Sequence, residues 1–419
     1  MNHNLSSFAA RLREQISDFR FLASDFPALA LELFALQFKH NAAYRNICSA
    51  LKLTPESVEH STQIPAVPTS AFKELEITCL LPCDRTAVFH SSGTTEQNPS
   101  RHFHSAESLA VYEASLWTWF ACNLSLGTPS TVSASFSPNQ NAAVQLVLLT
   151  PPPALAQHSS LVHMFETVRH KLVATPSASF GRLAANAPKP PNGTPSTVSA
   201  RPGSSQNPAI SAPGLPPAFV GRLAEDGTWT LDFAAAMSAL GDNPDSELQS
   251  PKLILGTAFS FVHLLDYLAE NNVRFQLPGG SRVMETGGYK NRSRTMPKAE
   301  LHALITRHLG IAPENIICEY GMSELSSQAY DSNLRPPSAI GHPRAFHFPP
   351  WARAQIISPE TGREVAEGET GLIRILDLAN VFSVAAIQTG DLGIRRGDGF
   401  ELIGRAQLAE PRGCSLMVS

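Results

Sequence analysis

Phe89-His90-Ser91-Ser92-Gly93-Thr94-Thr95-Glu96-Gln97-Asn98-Pro99-Ser100-Arg101 is the stretch on which the reading of the fold turns. Ala87-Val88-Phe89-His90 has strand character and delivers the chain into a turn dense in hydroxyls and carrying a glycine. Backbone N–H groups and hydroxyls in such a turn can wrap phosphate oxygens. No Gly-Lys-Ser/Thr follows at the required offset, so this is not a Walker A loop. Taken alone, the stretch reads equally well as a hydroxyl-rich surface turn.

Outward from this turn, strand-like and helix-like runs alternate. Val144 to Leu149 is a buried-strand candidate stopped by Pro151-Pro152-Pro153, and Lys252 to Leu255 is another, leading into a helix through Phe261 and Leu268. Ile316-Ile317-Cys318-Glu319 is a third. Such alternation predicts an α/β architecture. Upstream, residues 1–60 read as a helical segment: Leu5, Phe8, Leu12, Ile16 and Phe19 recur at helical spacing, and Phe26 to Phe38 is rich in Leu and Ala. Downstream, Ala354 to Ile357, Gly371 to Leu376 and Gly399 to Ile403 predict a small β-rich subdomain. Residues 174–217 break the pattern, with ten of the 33 prolines, no acidic residue, and Arg182, Lys189 and Arg201 as the charges. Such a stretch buries too little apolar area to offset its ordering entropy, so a disordered Pro/Ser/Ala-rich insertion is expected. Gly-Thr-Pro-Ser-Thr-Val-Ser-Ala occurs at 127–134 and again at 193–200, short of the three copies that a solenoid needs.

At 419 residues the chain has room for two or three domains or one large one. Hydrophobic residues at 43% and charged residues at 16% place it with globular proteins. Lys plus Arg is 32 and Asp plus Glu is 36, a net charge of −4 that argues against a nucleic-acid partner. No apolar run approaches the ~18 residues of a membrane span, and no signal peptide opens the chain. The six cysteines are scattered: Cys79 and Cys83 form the one close pair, with no second pair to complete a zinc site. Free thiols in a reducing cytoplasm are expected.

Three further motifs carry chemistry. Glu319-Tyr320-Gly321-Met322-Ser323-Glu324 follows an apolar strand and offers an aromatic for a base, a hydroxyl for a phosphate and a carboxylate for Mg²⁺. Thr389-Gly390-Asp391-Leu392-Gly393 reads as a turn presenting one carboxylate suited to two ribose hydroxyls, or as a plain hairpin turn. Gly404-Arg405 closes the strand-like Phe400-Glu401-Leu402-Ile403.

In this order, the four motifs resemble the adenylate-forming (AMP-binding) superfamily. More narrowly, the chain resembles the LuxE-type acyl-protein synthetases of bacterial bioluminescence operons, the long-chain-fatty-acid–luciferin-component ligases. Ile64-Pro65 to Phe72-Lys73, Ser159 to Met164, Leu255 to Phe259, Glu285-Thr286-Gly287-Gly288-Tyr289-Lys290 and Glu410-Pro411-Arg412-Gly413-Cys414-Ser415-Leu416 support it. The resemblance covers nearly the whole chain outside 174–217. It implies the large N-terminal domain of an adenylate-forming enzyme over residues 61–405, with layered αβ subdomains and a small β-rich one. With 419 − 405 = 14 residues after Arg405, the superfamily's mobile C-terminal domain and its adenylation lysine are expected to be missing, leaving a 406–419 tail.

The resemblance further implies a two-step reaction. A carboxylic acid, by this likeness a fatty acid, attacks the α-phosphate of ATP to give acyl-adenylate, and a thiol then takes the acyl group. Ser91, Ser92, Gly93, Thr94 and Thr95 would cradle the outer phosphates, with Arg101 adding positive charge. Gly287, Gly288, Tyr289, Tyr320 and Gly321 would enclose adenine. Ser323 would contact the α-phosphate, Glu324 would hold Mg²⁺, and Asp391 and Arg405 would hold the ribose. Cys414 would carry the acyl group as thioester before passing it to an accepting protein such as a reductase. Two features depart from the superfamily pattern: Glu96 stands where glycine is usual, and Ser100-Arg101 replaces a lysine. Two other readings compete: a ligase passing its adenylate to coenzyme A or a small acceptor, and a non-catalytic AMP-binding module. Trp117, Trp119, Phe259, Phe261 and His263 read as core or as pocket lining.

Overall fold

The computed structural model describes residues 3–91, 98–124, 144–174, 218–241, 250–288, 293–331 and 344–406. The chain divides into two compact units. One comprises Met1–Leu12, Leu22–Tyr112 and Met322–Ser419; the other comprises Arg13–Phe21 and Glu113–Gly321.

The second unit is built on a parallel sheet. Its strands run in the spatial order Ile316–Tyr320, Arg282–Thr286, Lys252–Thr257, Gln145–Leu148, Ala218–Phe219, and each neighbouring pair is parallel. All residues of Lys252-Leu-Ile-Leu-Gly-Thr257 are buried, as expected of a central parallel strand covered on both faces. The strand can begin on a lysine because the Lys252 Nζ donates to Gln145 Oε1 at 2.9 Å and to the carbonyls of Ala239 at 3.1 Å and Gly241 at 3.3 Å. The helices Phe233–Leu240, Ala258–Glu270 and Lys298–Leu309 join the strands in one core that includes Val147, Ile254, Phe261, Leu265, Val283, Leu301, Ile305 and Ile316. Thr257 caps the second of these helices by accepting the Ser260 N–H, and Asp232 caps the first through the Ala235 N–H. At Gly256 a Cβ would lie 2.9 Å from the Leu149 side chain and 3.1 Å from the Phe261 ring, so only glycine allows this helix–sheet approach. Trp117, Phe259 and Phe261 are buried, while Trp119 and His263 are partly exposed.

The first unit carries a mostly antiparallel sheet. Ala386–Arg396 pairs antiparallel with Thr370–Asp377 and Gly399–Arg405, and parallel with the short Val67–Pro68; Ala352–Ile357 flanks Thr370–Asp377. Ala87–His90 and Arg101–His104 form a separate antiparallel pair, register His90 with Arg101. Phe26–His40 and Ala42–Ala50 are helices of this unit.

Two expectations shift. Phe19 lies beyond the helix His3–Ser17, in left-handed conformation at φ 55°, although Leu5, Phe8, Leu12 and Ile16 are buried on its apolar stripe. Thr389 to Gly393 is not a turn but the middle of the strand Ala386–Arg396. Gly393 belongs there for a packing reason: a Cβ on it would meet Ile373 at 3.1 Å and the Glu401 carbonyl at 3.3 Å, beside a register shift at Leu392/Gly393.

Candidate active site

The hydroxyl-rich turn hangs from the Ala87–His90/Arg101–His104 pair, and the backbone fixes its base. The Ser91 N–H donates to the Ser100 carbonyl at 3.3 Å, and the Ser100 N–H returns a bond to Ser91 Oγ at 3.0 Å. Ser92, Gly93, Thr94 and Thr95, with Glu96, lie outside the described residues, as do Tyr289, the 175–217 stretch and Cys414.

At this base Ser100 is buried, its Oγ 3.5 Å from Ser323 Oγ. Ser323 Oγ donates to Glu324 Oε2 at 2.9 Å, and both residues are buried. The Ser323 carbonyl accepts from His102 Nδ1–H at 2.8 Å. Burial lowers the His102 pKa to about 4, so the ring is neutral at ordinary pH and the carbonyl contact fixes its proton on Nδ1. Three of the residues singled out in the sequence, Ser91, Ser323 and Glu324, therefore sit in one hydrogen-bonded cluster.

The turn that carries Glu324 is held from below by side chains that no motif pointed to. Asp377 is fully buried and accepts from the Ser326 and Ser327 N–H groups at 3.0 and 2.8 Å. It also accepts from Ser327 Oγ at 2.7 Å and the Ala379 N–H at 3.0 Å. Burial pushes its carboxyl up to about 6 despite these four donors. Asn380 Nδ2 donates to the Glu324 carbonyl at 2.9 Å. Gln37, on the helix Phe26–His40, donates to the Asn380 and Val381 carbonyls at 2.8 and 3.2 Å and accepts the Ala385 N–H at 2.9 Å. These are ordinary polar residues in sequence, and their role follows only from burial.

Arg101 is 36% exposed and lines a surface cleft with Lys73, Glu74, Asn98 and Pro99. Among the described residues its ion-pair partner is Glu76 at 3.9 Å, which binds Arg85 more closely at 2.8 Å. The hydrogen bond from Arg85 is the main cause holding the Glu76 carboxyl below the usual range. Lys73 is a second cation beside Arg101; it ends the Ile64-to-Lys73 stretch that supports the resemblance, but the sequence reading gives it no role. Asp391 and Arg405 are register partners, with Nε–Oδ1 at 3.6 Å. Arg405 is 91% exposed, so solvent screens the pair, and its side chain is open to a ligand.

In the second unit, Gly287, Gly288, Tyr320 and Gly321 come together at the C-terminal ends of two adjacent parallel strands, where Thr286 pairs with Glu319. Crevices at this edge of a parallel sheet are where α/β folds bind ligands. Gly287 has φ 67°, and no atom lies within 4 Å of a Cβ at either glycine, so a flat ligand could approach this backbone closely. Tyr320 is buried at the strand end. Glu319 is buried beside it, takes a hydrogen bond from Thr286 Oγ1, and is pushed up to about 7 chiefly by burial.

Residues 224–419 match the family described as acyl-protein synthetase, LuxE. A long-chain-fatty-acid–luciferin-component ligase of Aliivibrio fischeri is 29% identical over 180 residues, 40% of this chain and 44% of that protein. Its namesake from Vibrio harveyi is 23% identical over 200 residues, 45% of this chain and 50% of that one. The chain thus spans about half the length of the curated relatives it matches. Among solved structures, a 2-hydroxyisobutyryl-CoA ligase in complex with 2-HIB-AMP has a TM-score of 0.54 at 12% identity, covering 90% of this chain and 66% of that one. The same ligase with 2-HIB-AMP and CoA has a TM-score of 0.54 at 13% identity, covering 92% and 69%. The fold is that of the adenylate-forming ligases, and residues 224–419 are similar to the acyl-protein synthetases of the LuxE family.

Proposed function

We propose that this protein activates a carboxylic acid, by its likeness to the luciferin-component ligases a fatty acid, with ATP and passes the acyl group to a thiol. The observation that carries this reading is the buried oxygen array Ser100–Ser323–Glu324 at the base of the hydroxyl-rich turn. In the first step a carboxylate oxygen bonds to the α-phosphorus of ATP while the bond to the β-bridging oxygen breaks and pyrophosphate leaves. In the second, a thiolate sulfur bonds to the acyl carbon and AMP leaves. Both steps need alignment and charge stabilisation more than covalent help from the protein.

Mg²⁺ takes hard oxygen ligands. The Glu324 carboxylate and the Ser100 and Ser323 hydroxyls are an oxygen-only set and fit it. Bound there, the ion supplies positive charge to the phosphates. Ser91 and the hydroxyls after it orient the outer phosphates, Arg101 and Lys73 add charge at the mouth, and the Asp391–Arg405 pair serves the ribose. Gly287, Gly288, Tyr289, Tyr320 and Gly321 serve the adenine. Cys414 is the thiol we assign as acceptor, with a reductase-type protein downstream. The Cys48, Cys79 and Cys122 thiols suit it less, because burial pushes them up to about 11, 12 and 11 and keeps them protonated. Among the described residues Cys48, Cys79, Cys83, Cys122 and Cys318 form no disulfide, which suits a cytoplasmic setting, and no helix there is long and apolar enough to cross a membrane.

ATP–pyrophosphate exchange with a panel of fatty and aryl acids tests the first step. Exchange is expected with at least one acid, falling at least ~100-fold in Glu324→Gln with little change in melting temperature. No exchange with any acid overturns the reading. The second step is tested with radiolabelled acid: label should remain on the denatured protein, be released by neutral hydroxylamine, and vanish in Cys414→Ser while exchange persists. Label that survives in Cys414→Ser removes that thiol from the scheme.

A further inference from the structure

The parallel sheet holds a second cluster of chemistry-bearing side chains, none of which the adenylation reading uses. Glu285 and Cys318 are register partners on adjacent strands, and His302 reaches them from the helix Lys298–Leu309. Glu285 and Cys318 are buried and His302 is partly buried, so three different elements converge on one point inside the unit. Cys318 Sγ lies 2.6 Å from Glu285 Oε1 and 3.5 Å from His302 Nε2. His302 Nε2 lies 3.6 Å from Glu285 Oε1. Strand alternation places Thr286 and Glu319, the next residue on each strand, on the opposite face of the sheet.

We propose that Glu285, His302 and Cys318 bind a divalent transition-metal ion of the Zn²⁺ class. A tetrahedral ion with Zn–S of ~2.3 Å and Zn–N or Zn–O of ~2.1 Å sets its ligand atoms about 3.4–3.6 Å apart. The S–N and N–O separations, 3.5 and 3.6 Å, are already at that spacing. The shorter S–O contact is a thiol donating to a carboxylate. On binding, the thiol loses its proton to solvent, sulfur and oxygen both turn to the ion, and this contact opens. A thiolate and an imidazole favour Zn²⁺, Co²⁺ or Ni²⁺ over Mg²⁺ or Ca²⁺, so this site is chemically separate from the oxygen array at Glu324. The ion-pair neighbour of the buried Glu285 among the described residues is His302. An ion here would tie together the two strands that run into Gly287-Gly288 and Tyr320-Gly321.

Untagged full-length protein incubated with Zn²⁺ and dialysed should retain about one ion per chain by mass spectrometry. Co²⁺ in its place should give thiolate-to-cobalt absorption. Cys318→Ala should lose that band, and Glu285→Gln and His302→Gln should each weaken Co²⁺ binding at least ~10-fold. Cys48→Ser, Cys79→Ser and Cys414→Ser should leave it unchanged. In the wild type, Zn²⁺ should protect one thiol from alkylation, mapped to Cys318, a readout that needs no folded variant. Absence of the cobalt band in wild type, a band that persists in Cys318→Ala, or protection that maps to another cysteine overturns the proposal. None of these readouts depends on adenylation, so the two proposals fail separately.

Discussion

The turn Ser323–Glu324 in the first unit and the strand ends at Gly287 and Tyr320 in the second are held in different ways. Buried polar side chains, His102, Asp377 and Asn380, fasten the turn, and Gln37 fastens Asn380. The strand ends inherit their positions from the parallel sheet and its apolar core, and what distinguishes them is the absence of side chains at Gly287 and Gly288. A site fixed by a polar network fails when one member is removed, because a buried donor left unpaired costs ~1–3 kcal/mol. A site fixed by the core tolerates small local changes.

The largest effect should follow from Asp377→Ala. It strips the partner from three backbone N–H groups and one hydroxyl, a loss of several kcal/mol by the cost just given. The melting temperature should fall by ~10 °C or more, and pyrophosphate exchange with it. A fall under ~2 °C would place the support of this turn elsewhere.

His102→Asn should show itself in acid. The wild-type ring is lowered from 6.5 to about 4, so between these values the unfolded chain binds the proton that the folded chain refuses. This contribution is present above pH 6.5 and is lost as pH falls toward 4, on the order of 3 kcal/mol across the window. Asp377 tilts the other way: its carboxyl is raised from 3.8 to about 6, so its contribution is present below the lower value and lost as pH rises through the higher. Urea unfolding at pH 7, 5.5 and 4 should therefore show the stability gap between wild type and His102→Asn closing as pH falls. A gap constant with pH would mean that the ring is not held neutral.

Gly287→Ala should cost only ~1 kcal/mol, from the positive φ alone, or ~2–4 °C in melting temperature. Gly288→Ala, with no positive φ and open space around its Cβ, should leave stability unchanged, so any rise in the KM for ATP reports close approach of the nucleotide. The smallest effect is expected from replacing residues 175–217 with a short Gly/Ser linker. The composition of that stretch gives it no core role, and a shift above ~5 °C would contradict that.

Much of the architecture is legible in the sequence because it rests on apolar runs. Lys252 to Leu255, Ile316 to Glu319 and Ala87 to His90 are strands, and the helix through Phe261 and Leu268 follows where its period predicts. The Thr389–Gly393 run misleads because two glycines and an aspartate carry turn chemistry, whereas here the run is strand and Gly393 is required by the Ile373 side chain of the neighbouring strand. Ser323 and Glu324 are legible as a motif, but their supports are not. Gln37 and Asp377 acquire meaning only when folding removes water from both. The Glu285–His302–Cys318 cluster is hidden for a related reason, since metal-site reading looks for close Cys and His spacing and these three meet through strand register.

Gln37 and Asn380 are 343 positions apart in the chain. At a synthesis rate of ~5–20 residues per second, tens of seconds separate the emergence of the two partners from the ribosome. During that interval the helix Phe26–His40 lacks its polar ties to residues 380, 381 and 385. The Ser323–Glu324 turn, made much later, cannot be locked until residue 385 is out. Contacts this remote in sequence also slow refolding from denaturant, and the helix Phe26–His40 stays without its distant polar partners for that time.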